Sequence, residues 1–275
     1  MKISVEEIVC KSALTGAHGS YRLNPYIGCQ HRCVYCYATF ISRWRGRSND
    51  EWGNWVQVKV NIPYMLERQL RRRKGIHVFL STVCDVYQPL ERRYEITRRC
   101  LEVLCHTAQT DPALNVFLLT KSDMVLRDID VLRQFPKGSL RIAFSITTHR
   151  DDIAVMFEPA SPRPSHRISA ARALKDAGLT VGILINPILP YITERDLPTL
   201  LNIIEDAHLD FVGFDTLNYI CGHVGNKVRP VYERIGGDAL KRLEQAAREP
   251  SYERELRHLI KRLTQNSNVK VEAYF

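Results

Sequence analysis

Short apolar runs alternate with longer amphipathic segments along most of the chain. The short runs are rich in β-branched and aromatic residues and predict strands: VQVKVNI (56–62), HVFLST (77–82), NVFLLT (115–120), RIAFSIT (141–147), TVGILIN (180–186) and FVGFDTL (211–217). The longer segments predict helices over 63–74, 92–107, 123–135, 165–178 and 195–207. The strands are apolar on both faces, as burial between helices requires. The pattern therefore predicts repeated strand-helix units around a parallel sheet.

Six such units predict an α/β fold, a partial (β/α)6 TIM-like barrel with parallel strands. Beyond them the pattern changes to two highly charged helices, 237–248 and 251–265, which Pro250 separates, and a final VKVEAYF (269–275) that could add an edge strand. We therefore expect an N-terminal segment over 1–20, the barrel over 21–225, and a small helical C-terminal extension over 226–275. The loops that follow the carboxyl ends of the strands are the expected active-site edge.

Composition limits the class of protein. The chain has 275 residues, of which 45% are apolar, and this suits one main domain. No apolar run approaches the roughly 20 residues of a membrane span, and the N-terminus lacks the order of a signal peptide. We expect a cytoplasmic protein with no membrane partner. The formal net charge of +9 favours an anionic partner, with nucleic acid, DNA or RNA, as the leading candidate and a solvated basic surface as the alternative.

Two basic runs are candidates for that partner. Arg43-Trp44-Arg45-Gly46-Arg47 has Trp52 and Trp55 nearby, and a second run covers 71–74. Arginines with aromatic side chains suit phosphate neutralisation and base stacking. Arginines at helix ends are also common as solvated groups that complement the helix dipole.

Three of the eight cysteines lie within the segment NPYIGCQHRCVYCYATF (24–40). Cys29, Cys33 and Cys36 provide soft thiolate ligands on one loop, which favours zinc or an iron-sulfur cluster. A structural zinc site needs four protein ligands, and no second cysteine pair follows. The fourth ligand of such a site would have to be His31, Cys10 or Cys84.

The spacing resembles the CxxxCxxC motif of the radical S-adenosylmethionine superfamily, and the surrounding segment is similar to the branch that includes spore photoproduct lyase. STVCDVYQPLE (81–91) resembles TDPYQPxE, with Cys84 and Val86 in place of Thr and Pro. Further resemblances follow in the same order: FLLTKSDMVLRDIDVL (117–132) to TKS...RDIDLL, 144–178 to SxTT...EPxAPxxxxRLxAIxxLxxAG, and INPILPYITERD (185–196) to PIxPxIND. TLNYICGHVGNKVRPVY (216–232) has no counterpart.

The resemblance implies a [4Fe-4S] cluster on Cys29, Cys33 and Cys36, with one iron left open for S-adenosylmethionine. It implies further cofactor contacts along the strand ends: the backbone around Tyr35 and Tyr37 against adenine, Asp85 or Cys84 near the methionyl amino group, Lys121 at the methionyl carboxylate, and Ser145 on the fourth strand. Glu158 and Arg167 would either contact ribose and carboxylate or form a structural ion pair.

Two residues are candidates for hydrogen-atom transfer. Tyr37 matches a tyrosine proposed as a relay in the lyase, and Cys84 would bring a thiol to the mouth of the barrel, although buried cysteine is also a common inert core residue. The implied reaction is reductive cleavage of S-adenosylmethionine to a 5'-deoxyadenosyl radical that abstracts a substrate hydrogen. It requires a one-electron reductant, flavodoxin- or ferredoxin-like. The alternative is a non-catalytic zinc- or iron-sulfur-binding nucleic-acid module.

Overall fold

The computed structural model describes residues 3–273, which form two compact units. Within the described residues, the first unit comprises 3–32, Ala38–Ala143 and Ala173–Thr180, and the second comprises Cys33–Tyr37, Phe144–Arg172 and 181–273. The last two residues of the predicted edge strand, Tyr274 and Phe275, lie outside the described residues. Among residues 3–273, no helix combines the length and apolar character of a membrane span.

The strands of the first unit form two sheets. They are β1 (Ser4–Ile8), β2 (Leu14–Ala17), β3 (Ser20–Leu23), β4 (Tyr26–Ile27), β5 (Trp55–Lys59), β6 (His77–Leu80), β7 (Asn115–Thr120) and β8 (Leu140–Ser145), whose last residues belong to the second unit. One sheet has the order β2-β3-β6-β7-β8, with β3, β6 and β7 parallel and β2 antiparallel to β3. The other has the order β1-β5-β4.

Helices follow several of the first unit's strands along the chain. They are α1 (Ile41–Trp44), α2 (Ile62–Leu70), α3 (Glu91–Tyr94), α4 (Ile96–Thr110) and α5 (Ile129–Leu132), with 3-10 helices at Tyr37–Phe40, whose first residue belongs to the second unit, and at Asn49–Glu51 and Asp123–Asp128. In α2, Ile62, Leu66 and Leu70 recur at helical spacing and are buried. Burial of such a stripe is the main source of stability for a helix of this length.

The second unit continues the strand-helix alternation. Its elements are α6 (Asp151–Phe157), α7 (Pro164–Asp176), whose residues from Ala173 onward belong to the first unit, β9 (Val181–Ile188), α8 (Ile192–Asp206), β10 (Phe211–Thr216), α9 (His223–Ile235), α10 (Gly237–Arg248), α11 (Tyr252–Thr264) and β11 (Lys270–Ala273). β9, β10 and β11 are parallel neighbours. The predicted edge strand is therefore confirmed in its described part.

The predicted fold class is confirmed. The chain is α/β with a mostly parallel central sheet that is not closed, as in a partial TIM-like barrel, and helical elements follow at its C-terminus. Residues 225 and 226, the predicted domain boundary, lie inside α9. The division into three segments stays a prediction.

The assignment of residues 56–62 to the central parallel sheet is wrong. Residues 56–59 of that run belong to β5, which pairs with β1 and β4 in the small sheet, and Ile62 already begins α2. β3 is the strand that pairs with β6. β3 has only four residues, SYRL, and of these only Leu23 is buried. Such a segment has too little apolar periodicity to be recognised, whereas β5 buries Trp55, Val56 and Val58 in its smaller sheet.

The helix predicted over 92–107 is two helices, because Glu95 adopts a left-handed conformation with φ 48°. The Glu91 carboxylate is fully buried and accepts hydrogen bonds from Thr97 N (3.0 Å) and Arg98 N (3.3 Å) in the first turn of α4. A negative group there satisfies unpaired N–H groups and complements the helix dipole. The Tyr26 hydroxyl also donates to Glu91, and the Arg127 guanidinium lies 3.0 Å from it. This buried carboxylate thus connects β4, α4 and the Asp123–Asp128 turn.

We predict that Tyr26→Phe lowers the free energy of unfolding by about 1 to 3 kcal/mol, because a buried carboxylate loses a donor without gaining water. Tyr64→Phe is the matched control, since Tyr64 is 60% exposed on α2. Urea unfolding of the apoprotein, followed by circular dichroism, measures both. Equal losses in the two variants would contradict the interpretation of Glu91.

Candidate active site

Gly28, just before the first motif cysteine, lies where two stretches of backbone come close together. Gly28 has φ 91°, and a Cβ built on it would lie 2.5 Å from the Trp55 carbonyl oxygen. Only glycine fits both this conformation and this approach. This glycine joins the end of β4 to Cys29.

The structure divides the cysteine motif between the units. Cys29 belongs to the first unit, and Cys33 and Cys36 belong to the second. Cys29 and Cys33 are buried and Cys36 is half-buried. No disulfide joins any of the eight cysteines, all of which lie in the described part of the chain. Residues 3–273 contain no preassembled group of three His, Cys, Asp or Glu side chains suited to a metal, so the convergence of the three sulfurs stays a prediction.

Asp85 organises the strand ends of the first unit. Its Oδ1 accepts hydrogen bonds from Thr120 Oγ1 and Tyr87 N, both at 2.8 Å, and its Oδ2 accepts one from Lys121 N at 2.7 Å. The N–H of the same residue donates to Cys29 Sγ at 3.4 Å. Asp85 follows β6 and Lys121 follows β7, so this carboxylate fixes the two loops at the carboxyl ends of neighbouring strands.

His31 is a second partner of this carboxylate. Its Nδ1 lies 3.3 Å from Asp85 Oδ2, and both side chains are buried. Burial raises the pKa of Asp85, but the charge and hydrogen bond of His31 and the bonds from Lys121 N and Thr120 outweigh it, so the pKa is lowered. Asp85 is thus an ionised group whose carboxylate has several protein partners, and its contact with the methionyl amino group stays a prediction.

Cys84 is buried next to Asn24, the residue that directly follows β3. Its thiol is buried and lies 3.7 Å from the Asn24 side-chain oxygen. That oxygen also accepts hydrogen bonds from Thr82 N and Val83 N at 3.0 and 3.1 Å. Burial raises the pKa of Cys84 to about 12. The neutral thiol is therefore the stable form, which disfavours Cys84 as the fourth ligand of a zinc site.

In the second unit, Tyr35, Glu158 and Arg167 form a buried cluster. The Glu158 carboxylate accepts hydrogen bonds from the Tyr35 hydroxyl and from Arg167 Nη2. Burial and the Glu158 charge raise the pKa of Tyr35 well above its usual value, so the phenol stays protonated. Of the two predicted roles for Glu158 and Arg167, the structural ion pair is observed. Contact with ribose or carboxylate stays a prediction.

Ser145 and Tyr37 also belong to the second unit. Ser145 ends β8; its hydroxyl donates to Asn186 O at 2.6 Å, and its carbonyl accepts from Arg167 Nη1 at 2.9 Å. Tyr37 starts a 3-10 helix directly after Cys36 and is 38% exposed. Their roles toward a cofactor or substrate stay predictions.

Sequence reasoning missed the roles of two residues in the first-unit site and of one in the second unit: Asn24 and Ser161 were not candidates, and His31 was considered only as a zinc ligand. Asn24 and His31 bind loops more than 50 positions away, and Ser161 Oγ lies 3.8 Å from Cys33 Sγ. Asn24 and His31 lie inside the cysteine segment, so their position offered a signal. For Ser161 the signal was a difference from the family pattern EPxAP, which has alanine at the matching position.

The family assignment follows from comparison of the sequence. Residues 23–204 match the model of the radical SAM superfamily. The chain therefore belongs to the radical SAM superfamily.

Relatives are found in archaea, bacteria and a virus. An uncharacterized protein of Methanocaldococcus jannaschii is 33% identical over 190 residues, which cover 69% of this chain and 68% of the relative. An uncharacterized protein of Mycobacterium tuberculosis is 28% identical over 202 residues, covering 70% and 58%, respectively. Uncharacterized protein ORF301 of Acidianus two-tailed virus is 31% identical over 205 residues, covering 70% and 65%. The chain thus spans only 58% of the mycobacterial relative.

Solved structures show the same fold. A spore photoproduct lyase variant matches with TM-score 0.72 and 16% identity, covering 98% of this chain and 82% of the lyase. A lyase variant with bound AdoMet and dinucleoside spore photoproduct matches with TM-score 0.69 and 17% identity, covering 98% and 78%. Streptococcus suis SuiB bound to S-adenosylmethionine matches with TM-score 0.60 and 14% identity, covering 92% and 50%.

The chemistry of the three motif cysteines suits an iron-sulfur cluster, the group that this superfamily implies. A ligating thiolate carries charge and accepts hydrogen bonds. Cys29 Sγ already accepts a hydrogen bond from Asp85 N–H, and Cys33 Sγ lies 3.8 Å from the Ser161 hydroxyl, a group that can donate to a thiolate. The three thiols are soft donors of the kind that iron-sulfur clusters require.

We predict that Cys84 resists alkylation. With a pKa of about 12, only about one thiol in ten thousand is ionised at pH 8, and the thiolate is the reactive form. Iodoacetamide should modify Cys84 about a thousandfold more slowly than the exposed Cys221, and the rate should rise steeply above pH 10. Mass spectrometry of the apoprotein measures both rates, with urea-unfolded protein as the control in which the two cysteines react alike. Equal rates in the folded protein would contradict the buried, neutral thiol.

Proposed function

We propose that this chain is a radical SAM enzyme that acts on a nucleic-acid substrate, DNA or RNA. Cys29, Cys33 and Cys36 would hold a [4Fe-4S] cluster, with S-adenosylmethionine as the second cofactor and a flavodoxin- or ferredoxin-like protein as the reductant. When bound, the cluster supplies the electron for reductive cleavage of S-adenosylmethionine to a 5'-deoxyadenosyl radical, which abstracts a substrate hydrogen. The relatives support this proposal through fold and family.

The observation that carries the proposal is the hydrogen bond from Asp85 N–H to Cys29 Sγ, at the carboxyl end of β6. Loops at the carboxyl ends of parallel strands form the ligand sites of α/β folds. Lys121 follows the neighbouring strand β7, and its backbone is held by Asp85. Its flexible cationic side chain suits a carboxylate such as that of the methionyl group.

The remaining residues would act as follows. The Tyr35 backbone would lie against adenine, and the Glu158–Arg167 ion pair would hold that backbone in position. Ser145 would approach the cofactor from the end of β8. Tyr37 and Cys84 are the candidates for hydrogen-atom transfer to or from the substrate.

We predict that Cys29→Ala, Cys33→Ala and Cys36→Ala each abolish the four-iron cluster after anaerobic reconstitution. Iron and sulfide analysis with EPR spectroscopy measures this loss, and Cys105→Ala, a buried cysteine of α4 outside the motif, is the control. S-adenosylmethionine should change the EPR signal, and a reductant should then yield 5'-deoxyadenosine. Zinc without iron, or a cluster indifferent to S-adenosylmethionine, would instead favour the non-catalytic module.

The surface of α1 supports nucleic acid as the substrate class. Trp44 is 77% exposed, its ring contacts Phe40 edge-on at 4.8 Å, and exposed Arg43 and Arg45 flank it. Trp52 and Trp55, in contrast, are buried against each other and cannot stack on bases. The predicted stacking group therefore reduces to one tryptophan, beside cations that suit phosphates.

We predict that Trp44→Ala weakens binding of a single-stranded oligonucleotide by about tenfold, since one base-aromatic stack contributes about 1 to 3 kcal/mol. Fluorescence anisotropy with labelled DNA and RNA measures the affinities, and a salt series tests the phosphate contribution. Tyr64→Ala is the matched control, because Tyr64 is also an exposed aromatic beside an arginine, Arg68. Equal affinity of wild type and Trp44→Ala would show that Trp44 on α1 does not contribute to binding.

A further inference from the structure

We propose that Ser161 tunes the reduction potential of the cluster by donating a hydrogen bond to Cys33 Sγ. This inference rests on the proposed function, in which Cys33 is a cluster ligand. Ser161 Oγ and Cys33 Sγ lie 3.8 Å apart, within hydrogen-bonding distance for sulfur. Ser161 therefore acts on the ligand sulfur and not on substrate, as a positioning and tuning residue.

Ligation decides the direction of this hydrogen bond. In the thiol form either the hydroxyl or the thiol can donate. A cysteine that binds a metal does so as the thiolate, which has no proton and can only accept. The Ser161 hydroxyl thus becomes the donor when Cys33 is a ligand.

The loop that carries Ser161 is held against the cysteine segment on both sides of the contact. Val34 N–H donates to Phe157 O at 2.7 Å, next to Cys33, and the Tyr35 hydroxyl donates to Glu158. Ser161 N–H donates to Glu158 O at 3.2 Å, which closes the turn in which the serine lies.

Arg167 also holds this loop in place. Its Nη2 pairs with Glu158, and its Nε donates to Pro162 O at 2.8 Å. The arginine is 1% exposed, so these bonds are shielded from water. The hydroxyl therefore lies on a turn that several hydrogen bonds hold in place. A donor held in this way keeps its orientation toward the ligand sulfur and can tune the metal.

The physical effect has a definite sign. Reduction adds negative charge to the cluster and its sulfurs, and a hydrogen bond to a ligand sulfur stabilises that charge. The Ser161 donor therefore raises the potential and eases reduction. Cys29 receives its hydrogen bond from the Asp85 backbone, which any residue at position 85 except proline could supply. At Cys33 the donor depends on the side chain, and the quoted pattern EPxAP has alanine there.

The test compares reconstituted wild type with Ser161→Ala in an EPR-monitored potentiometric titration. We expect the cluster of Ser161→Ala to have a more negative midpoint potential, with the equilibrium constant for its reduction lowered about tenfold, which is about 59 mV for one electron. Ser161→Thr retains a hydroxyl and should keep the wild-type value. Ser165→Ala is the matched control, because that hydroxyl binds Asp151 at 2.6 Å.

The outcomes separate this inference from the proposed function. A wild-type chain that takes up no four-iron cluster overturns the proposed function and this inference with it. A loaded cluster with the same potential in wild type and Ser161→Ala overturns this inference alone. A Ser161→Thr potential as low as that of Ser161→Ala also overturns it, because the hydroxyl would then have no effect.

Discussion

The buried carboxylate of Asp85 is the constraint on which the strand ends of the first unit depend. An ionised carboxylate without partners would cost several kcal/mol in a dry environment, so the chain must bring donors to it. The donors come from the end of β7, through the Thr120 hydroxyl and Lys121 N–H, and His31 of the cysteine segment lies 3.3 Å from the carboxylate. Satisfying one charge therefore fixes three segments relative to each other. Because the N–H of the same residue faces Cys29 Sγ, the position of the first motif cysteine follows from that electrostatic requirement.

The second unit meets the same requirement with an ion pair. Glu158 and Arg167 are almost fully buried, and the carboxylate also accepts a hydrogen bond from the Tyr35 hydroxyl. A buried pair adds little net stability compared with apolar packing, but losing one partner is costly, so the pair specifies geometry more than it adds stability. What it specifies here is the contact between the cysteine segment and the turn that contains Ser161. The two units thus support the motif cysteines by similar means.

Periodicity predicted the elements whose pattern is local. Residues 115–120 and 237–248 form β7 and α10 with the predicted bounds, because their apolar spacing and flanking residues are sufficient. The break at Glu95 and the strand β3 were not predictable, since one depends on the Glu91 carboxylate and the other on pairing with β6. Likewise, spacing identified the three cysteines, whereas Ser161 contacts Cys33 from 128 positions away. Local patterns could not encode such contacts.

Burial separates the two candidates for hydrogen-atom transfer. A thiol donates a hydrogen atom only while it keeps its proton, and burial holds Cys84 in that form across the physiological range. The same burial makes it a poor nucleophile and a poor zinc ligand, so its properties suit a radical donor better than any ionic role. Tyr37 differs, because it is 38% exposed and directly follows Cys36. The two candidates therefore differ in access to solvent and in surroundings, and hydrogen-atom transfer by either residue stays a prediction.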